Sequence, residues 1–181
     1  FADTVARERG SSLADAERIK AVARRIARAK DGGNQVVVVV SAMGNTTDDL
    51  IRQANTVTEK PDSRELALLL STGEIVSCTL VSMALRSMGY RAISLSGGQA
   101  GIRTDMDYSR ARIVAVDPQR ILKEVGEDKI VIVAGFQGIT EEMDITTLGR
   151  GGSDITAVAL AAGLGAKVCE IYTDVEGIYT A

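Results

Sequence analysis

The 181-residue chain contains no histidine. That absence excludes serine or cysteine triads built on imidazole, the usual zinc sites and histidine general bases. Chemistry here has to run on carboxylates, hydroxyls, basic side chains and backbone dipoles. Cysteine is scarce: Cys78 and Cys169 are the only two, both inside apolar segments and without metal-ligand spacing. They are expected to be small buried hydrophobes in a reducing, cytoplasmic compartment. The longest apolar runs fall far short of the ~20 residues of a membrane span, and no signal peptide is visible. With a net charge of −3, neither nucleic acid nor an anionic membrane is an expected partner, because both recruit clustered positive charge. The one basic cluster, Lys20, Arg24, Arg25, Arg28 and Lys30, reads as the solvated face of a helix.

What is present points to one globular domain. The hydrophobic fraction of 45% and charged fraction of 25% are near average, and the length suffices for one sizeable core. Ser12 reads as an N-cap with Asp15 three positions on, ahead of a helix to about Lys30 that stops at Gly32-Gly33. Val36 to Val40 is apolar on both faces, as in a central parallel strand. A helix follows from about Asp48. After Pro61, two helical stretches, Glu65 to Leu70 and Glu74 to Met88, are separated by Ser71-Thr72-Gly73. Strands are expected at Arg91 to Leu95, Arg112 to Val116, Ile130 to Ala134 and, as a last buried strand, Val168 to Tyr172. Asp117-Pro118 starts a helix to about Val125. This alternation predicts an open, mainly parallel sheet between helical layers, with ligands outside the carboxyl ends of its strands.

The turns at those strand ends carry the chemistry. Thr147-Leu148-Gly149-Arg150-Gly151-Gly152-Ser153-Asp154 is a glycine-rich turn opening onto an apolar helix to Leu164. Glycines free backbone N–H groups, the helix start is electropositive, and Arg150 adds a charge-assisted clamp, which together suit a phosphate or carboxylate. The plain alternative is a glycine turn with Ser153 as N-cap. Ser41 to Asp48, Gly135 to Gly138 and Tyr172 to Gly177 also follow strands, so all are expected to converge on one cleft.

Five segments in this order resemble the catalytic domain of bacterial aspartokinases, members of the amino-acid kinase family. They are Ser41-Ala42-Met43-Gly44-Asn45-Thr46-Thr47-Asp48, Leu70 to Glu74, Val133 to Gly138, Thr147 to Asp154 and Glu170 to Tyr179. The resemblance covers the chain from about Gly10 onward. It implies a three-layer α/β sandwich of the carbamate kinase-like fold and transfer of the γ-phosphoryl group of MgATP to the side-chain carboxylate of L-aspartate. By motif match, Arg150 binds a carboxylate of aspartate and Glu74 its ammonium group. Ser41 and Thr47 supply donors, and Phe136 closes the pocket. Ser153 and Asp154 sit where aspartate and phosphate meet, Asp154 orienting nearby cations and so needing a cationic partner of its own. Gly10 and Ser11 end a phosphate-side motif, and Thr173, Asp174 and Tyr179 match positions that hold ATP. Magnesium arrives with ATP rather than in a protein cage. The resemblance also implies a homo-oligomer or an assembly with a regulatory subunit.

Two departures accompany it. The family pattern opens with a buried strand ending Lys-Phe/Tyr-Gly-Gly-Ser/Thr-Ser, whereas Phe1 to Arg9 does not read as a buried strand. Arg7 falls at the lysine, which is not a conservative exchange, and Arg9 falls at a glycine. The family pattern also continues past Ala181 into further nucleotide-binding segments and regulatory domains. Residues 1–181 are therefore expected to be an incomplete catalytic domain with weak activity or none alone. A non-catalytic binding or subunit module, or another amino-acid kinase, remains the competing reading.

Overall fold

The computed structural model describes residues 3–172. Five strands form a sheet in the order β3-β6-β2-β1-β9, with every neighbouring pair parallel. They are β1 (Thr4–Glu8), β2 (Val36–Val40), β3 (Ala92–Leu95), β6 (Ile130–Ala134) and β9 (Val168–Ile171). The smaller sheet contains β4 (Ile102–Thr104), β5 (Ile113–Val116), β7 (Gln137–Ile139) and β8 (Ile145–Thr147), in the order β5-β4-β7-β8. The helices are α1 (Ala16–Asp31), α2 (Thr46–Val57), α3 (Ser63–Ser87), α4 (Gln119–Gly126) and α5 (Gly152–Leu164).

The five valines of β2 show how the layers arise. Side chains alternate across a strand. Val36, Val38 and Val40 enter a core with Val22 and Ile26 of α1 and Val81 and Leu85 of α3. Val37 and Val39 enter a second core with Ile121 and Val125 of α4 and Leu160 and Leu164 of α5. A continuous apolar run is therefore required, because both faces of β2 are covered.

Several expectations need correction. Residues 4–8 do form a buried strand, paired with β2 on one side and β9 on the other. Its two charges hid it, and each is satisfied on a different face: Arg7 meets Asp154 of α5, and Glu8 takes both Nε and Nη2 of Arg25 on α1. Arg25 in turn stacks over the Tyr172 ring at 4.4 Å. The basic cluster is thus only partly a solvated face, since Lys30 also pairs with Asp128. Helix α1 is capped by Asp15, which accepts from the Arg18 N–H at 2.8 Å, not by Ser12.

Ser71-Thr72-Gly73 does not interrupt α3. The Ser71 and Thr72 hydroxyls bond back to the carbonyls of Leu68 and Leu69 at 2.7 and 2.6 Å, so they stay within the helix. The resulting 25-residue helix is long and apolar enough to cross a membrane by length and composition, although half of its most apolar window is buried in the fold. Strand β9 lies at a sheet edge with exposed side chains, so Cys169 is exposed while Cys78 is buried. The short strands β4, β7 and β8 were not foreseen, being three residues each and broken by glycine or polar positions.

Ile132 is fully buried in the centre of β6. Ile132→Ala is expected to cost about 2–5 kcal/mol in denaturant unfolding, whereas Val114→Ala, on an exposed position of β5, should change stability by less than about 0.5 kcal/mol.

Candidate active site

One cleft of about 720 Å³ lies outside the carboxyl ends of β1, β2 and β6. Its walls include Gly10 and Ser11 after β1, Ser41 after β2, Thr47 in the first turn of α2, Glu74 of α3, Phe136 after β6, Arg150 just before α5 and Ser153 in its first turn. All eight had been singled out from the sequence, and they meet although they span more than 140 residues. Asp154 adjoins the cleft through Arg7, which lines it. Thr173, Asp174 and Tyr179 lie outside the described residues.

Backbone packing sets the geometry. A Cβ on Gly10 would stand 2.1 Å from the carbonyl oxygen of Ala42, so only glycine lets the loops after β1 and β2 approach. The Gly44 N–H donates to the Gly10 carbonyl at 3.0 Å and ties them. Gly151, with φ of 74°, is the N-cap of α5 and no side chain caps that helix, which overturns Ser153 as N-cap. Ser153 instead sits in the first turn, buried at the positive end of the helix. Phe136 adopts φ of 66°, a strained value for a non-glycine residue. It is held there by its N–H donating to Thr156 Oγ1 at 3.2 Å and its carbonyl accepting from the Leu148 N–H at 2.9 Å.

The charges are arranged by sign. Arg7 Nε stands 2.9 Å from Asp154 Oδ1, an ion pair by distance, and Arg7 Nη2 donates to Ser41 Oγ at 3.3 Å. This supplies the cationic partner expected for Asp154. Glu74 is 3% exposed; its Oε1 accepts from the Ala42 N–H at 3.2 Å, and its Oε2 is buried without a partner. Burial pushes its pKa up to about 7, against the lowering effect of its backbone hydrogen bonds. Ser11 Oγ is also buried and unpaired. Arg150 is exposed at the rim. A cleft holding a buried carboxylate with one unclaimed oxygen and a guanidinium of opposite charge fits a small zwitterion, and the α5 terminus with Arg7 suits an anion. Asp48, Ile51 and Leu70 also line it. The sequence offered no cue for the apolar pair beyond their helical periodicity.

An open parallel sheet between helical layers, with glycine loops and a bare helix start at its carboxyl edge, defines an α/β ligand-binding domain of doubly wound type. The chain belongs to the amino acid kinase family, whose model matches residues 10–181. It is 56% identical to the aspartokinase of Mycolicibacterium smegmatis over 173 residues, and 57% identical to that of Corynebacterium glutamicum. Each match covers 95% of this chain and 41% of the relative, so the chain spans about two fifths of the curated relatives' length. Aspartate kinase from Synechocystis superposes with a TM-score of 0.80 at 49% identity, covering 96% of this chain and 29% of that one. Escherichia coli aspartokinase III, solved with lysine and aspartate, gives 0.85 at 26% identity, covering 98% and 51%.

The raised pKa has a consequence for stability. Between the ordinary carboxyl value and about 7, the ligand-free native state binds a proton at Glu74 that the unfolded chain does not. Stability therefore falls as pH rises through that interval, by on the order of 3 kcal/mol from this group. Urea unfolding of Glu74→Gln against the parent at pH 5 and pH 8 should show the parent losing more stability on going to pH 8. Equal losses would mean that Glu74 titrates normally.

Proposed function

We propose that the chain is the catalytic domain of an aspartate kinase, which transfers the γ-phosphoryl group of MgATP to the side-chain carboxylate of L-aspartate. The observation that carries this reading is the shared cleft of Glu74 and Arg150. Glu74 Oε2, unclaimed and buried, takes the substrate ammonium group, and Arg150 takes a carboxylate. Ser41 and Thr47 add donors and Phe136 closes the pocket. Thr173, Asp174 and Tyr179 hold the nucleotide, together with Gly10 and Ser11 on the phosphate side. Magnesium accompanies ATP, retaining waters and phosphate oxygens as ligands.

The acceptor carboxylate is already ionised at neutral pH, so no general base is required. Its oxygen attacks the γ-phosphorus in line, the bond from that phosphorus to the β–γ bridging oxygen breaks, and ADP leaves, giving an acyl phosphate. The rate comes from positioning and from neutralising phosphoryl charge. Arg7, buried near the end of β1 and lining the cleft, is the cation this reading assigns to that task, with Asp154 and Ser41 contacting its guanidinium. An assembly of several subunits belongs to the same reading.

A second reading, binding of the same ligands without turnover, is favoured by one feature: Arg7, where the family pattern has lysine, is ion-paired with Asp154. Calorimetry with aspartate and with MgADP, beside hydroxylamine trapping of acyl phosphate, separates the two. Binding with trapped product supports the kinase, and binding without product supports the module. Glu74→Gln and Arg150→Ala should each weaken aspartate binding by about tenfold to a hundredfold, the worth of one charged hydrogen bond, and leave MgADP affinity within about twofold. No aspartate binding by the parent chain would contradict both readings.

A further inference from the structure

Phe136 is fixed in a conformation that its own side chain disfavours, and one of the groups that fix it lies outside the cleft. Among the described residues, three non-glycine residues have positive φ: Asp128, Phe136 and Met143. Asp128 and Met143 are exposed, whereas Phe136 is half-buried and lines the cleft. A bulky side chain in the left-handed region is strained, and it persists only where its surroundings over-determine it. Two backbone hydrogen bonds do so here. The Phe136 carbonyl accepts from the Leu148 N–H at 2.9 Å, and the Phe136 N–H donates to Thr156 Oγ1 at 3.2 Å.

Thr156 is fully buried on α5 and does not line the cleft. Its hydroxyl has one proton, which it donates to the Gly152 carbonyl one turn back along α5 at 2.8 Å. With the donor committed, a lone pair is left for the Phe136 N–H. One hydroxyl thus joins the turn after β6 to the first turn of α5. The two segments touch with no side chain between them. A Cβ on Gly152 would stand 2.8 Å from Phe136 Cδ2, and a Cβ on Gly135 would stand 2.8 Å from Ser153 Oγ. The ring of Phe136 therefore rests on bare helix backbone next to Ser153, at the electropositive start of α5. The Leu148 bond extends the tie to the segment that carries Arg150 two residues later.

We infer, on the aspartate-site reading proposed above, that Thr156 is a positioning residue whose hydroxyl holds Phe136 at positive φ so that the ring closes the amino-acid pocket. Thr156 touches no ligand itself and acts through Phe136. Without that acceptor the Phe136 N–H loses its partner, the backbone relaxes toward negative φ, and the Cβ turns away, which lifts the ring from Gly152. Glu74 and Arg150 are left in place, so the loss falls on closure over the amino acid and not on the nucleotide.

Thr156→Val keeps the branched shape of the side chain and removes the hydroxyl. It should weaken L-aspartate binding about tenfold in calorimetry, a factor in the range of one strained backbone residue, and leave MgADP affinity within about twofold. Thr156→Ser, which restores the oxygen, should return aspartate affinity to within about twofold of the parent. Phe136→Gly is the control for a merely structural effect, because glycine takes positive φ without strain. In that background Thr156→Val should change aspartate affinity by less than about twofold, since the residue through which it acts is gone. Amide exchange at Phe136, measured without ligand, should accelerate at least about tenfold in Thr156→Val through the loss of one hydrogen bond. Undiminished aspartate binding by Thr156→Val, equal weakening in the Phe136→Gly background, or no rescue by Thr156→Ser each overturns the inference while the aspartate-site reading stands. A parent chain that binds no aspartate overturns that reading instead, and an unchanged exchange rate at Phe136 overturns the Thr156 tie whatever the cleft binds.

Discussion

A carboxylate held away from water with one oxygen unclaimed is costly, and the cleft is organised around that cost. Glu74 receives one backbone N–H from Ala42 and nothing at Oε2, so its charged form is disfavoured until a cation arrives. An ammonium group relieves that penalty by charge as well as by hydrogen bonding, a neutral donor relieves it only in part, and an added anion deepens it. On the reading proposed above, the preference for an amino group resides in the empty protein, and Arg150, which lines the same cleft, supplies the opposite charge.

The parallel sheet makes this arrangement possible. Because every strand of the larger sheet runs the same way, the loops after β1, β2 and β6 emerge on one edge, and α5 begins there too. Period-two alternation then decides which charge faces which layer. On β1, Arg7 turns toward α5 and the cleft, and Glu8 turns toward α1, where Arg25 neutralises it. Only the Glu8 side of this pair is fully buried, Arg25 keeping 37% of its side chain exposed. Its presence in the strand that delivers Arg7 ties the sheet edge to both helical layers, with Tyr172 at the end of β9 stacked on Arg25.

Much of this was legible in the sequence, for physical reasons. Val36 to Val40 and Ile130 to Ala134 could be read because doubly covered strands need unbroken apolar runs. The site turns could be read because close backbone approach and a bare helix start require glycine. The strand at residues 4–8 was not legible, since Arg7 and Glu8 look solvent-facing until Asp154 and Arg25, distant in sequence, are placed against them. Nor was the continuity of α3, where local propensity at Ser71-Thr72-Gly73 gave way to hydroxyls bonding back along the helix. The cation required by Asp154 was expected, but its identity as Arg7 needed three dimensions.

Calorimetric titration of the chain with L-aspartate near pH 7, repeated in buffers of different ionisation enthalpy, tests the central claim most directly. If the substrate ammonium group takes the unclaimed oxygen of Glu74, binding pulls that carboxyl back toward its ordinary acidity and releases a fraction of a proton, and Glu74→Gln abolishes the release. Binding with no proton release, or with the same release in Glu74→Gln, would contradict the account.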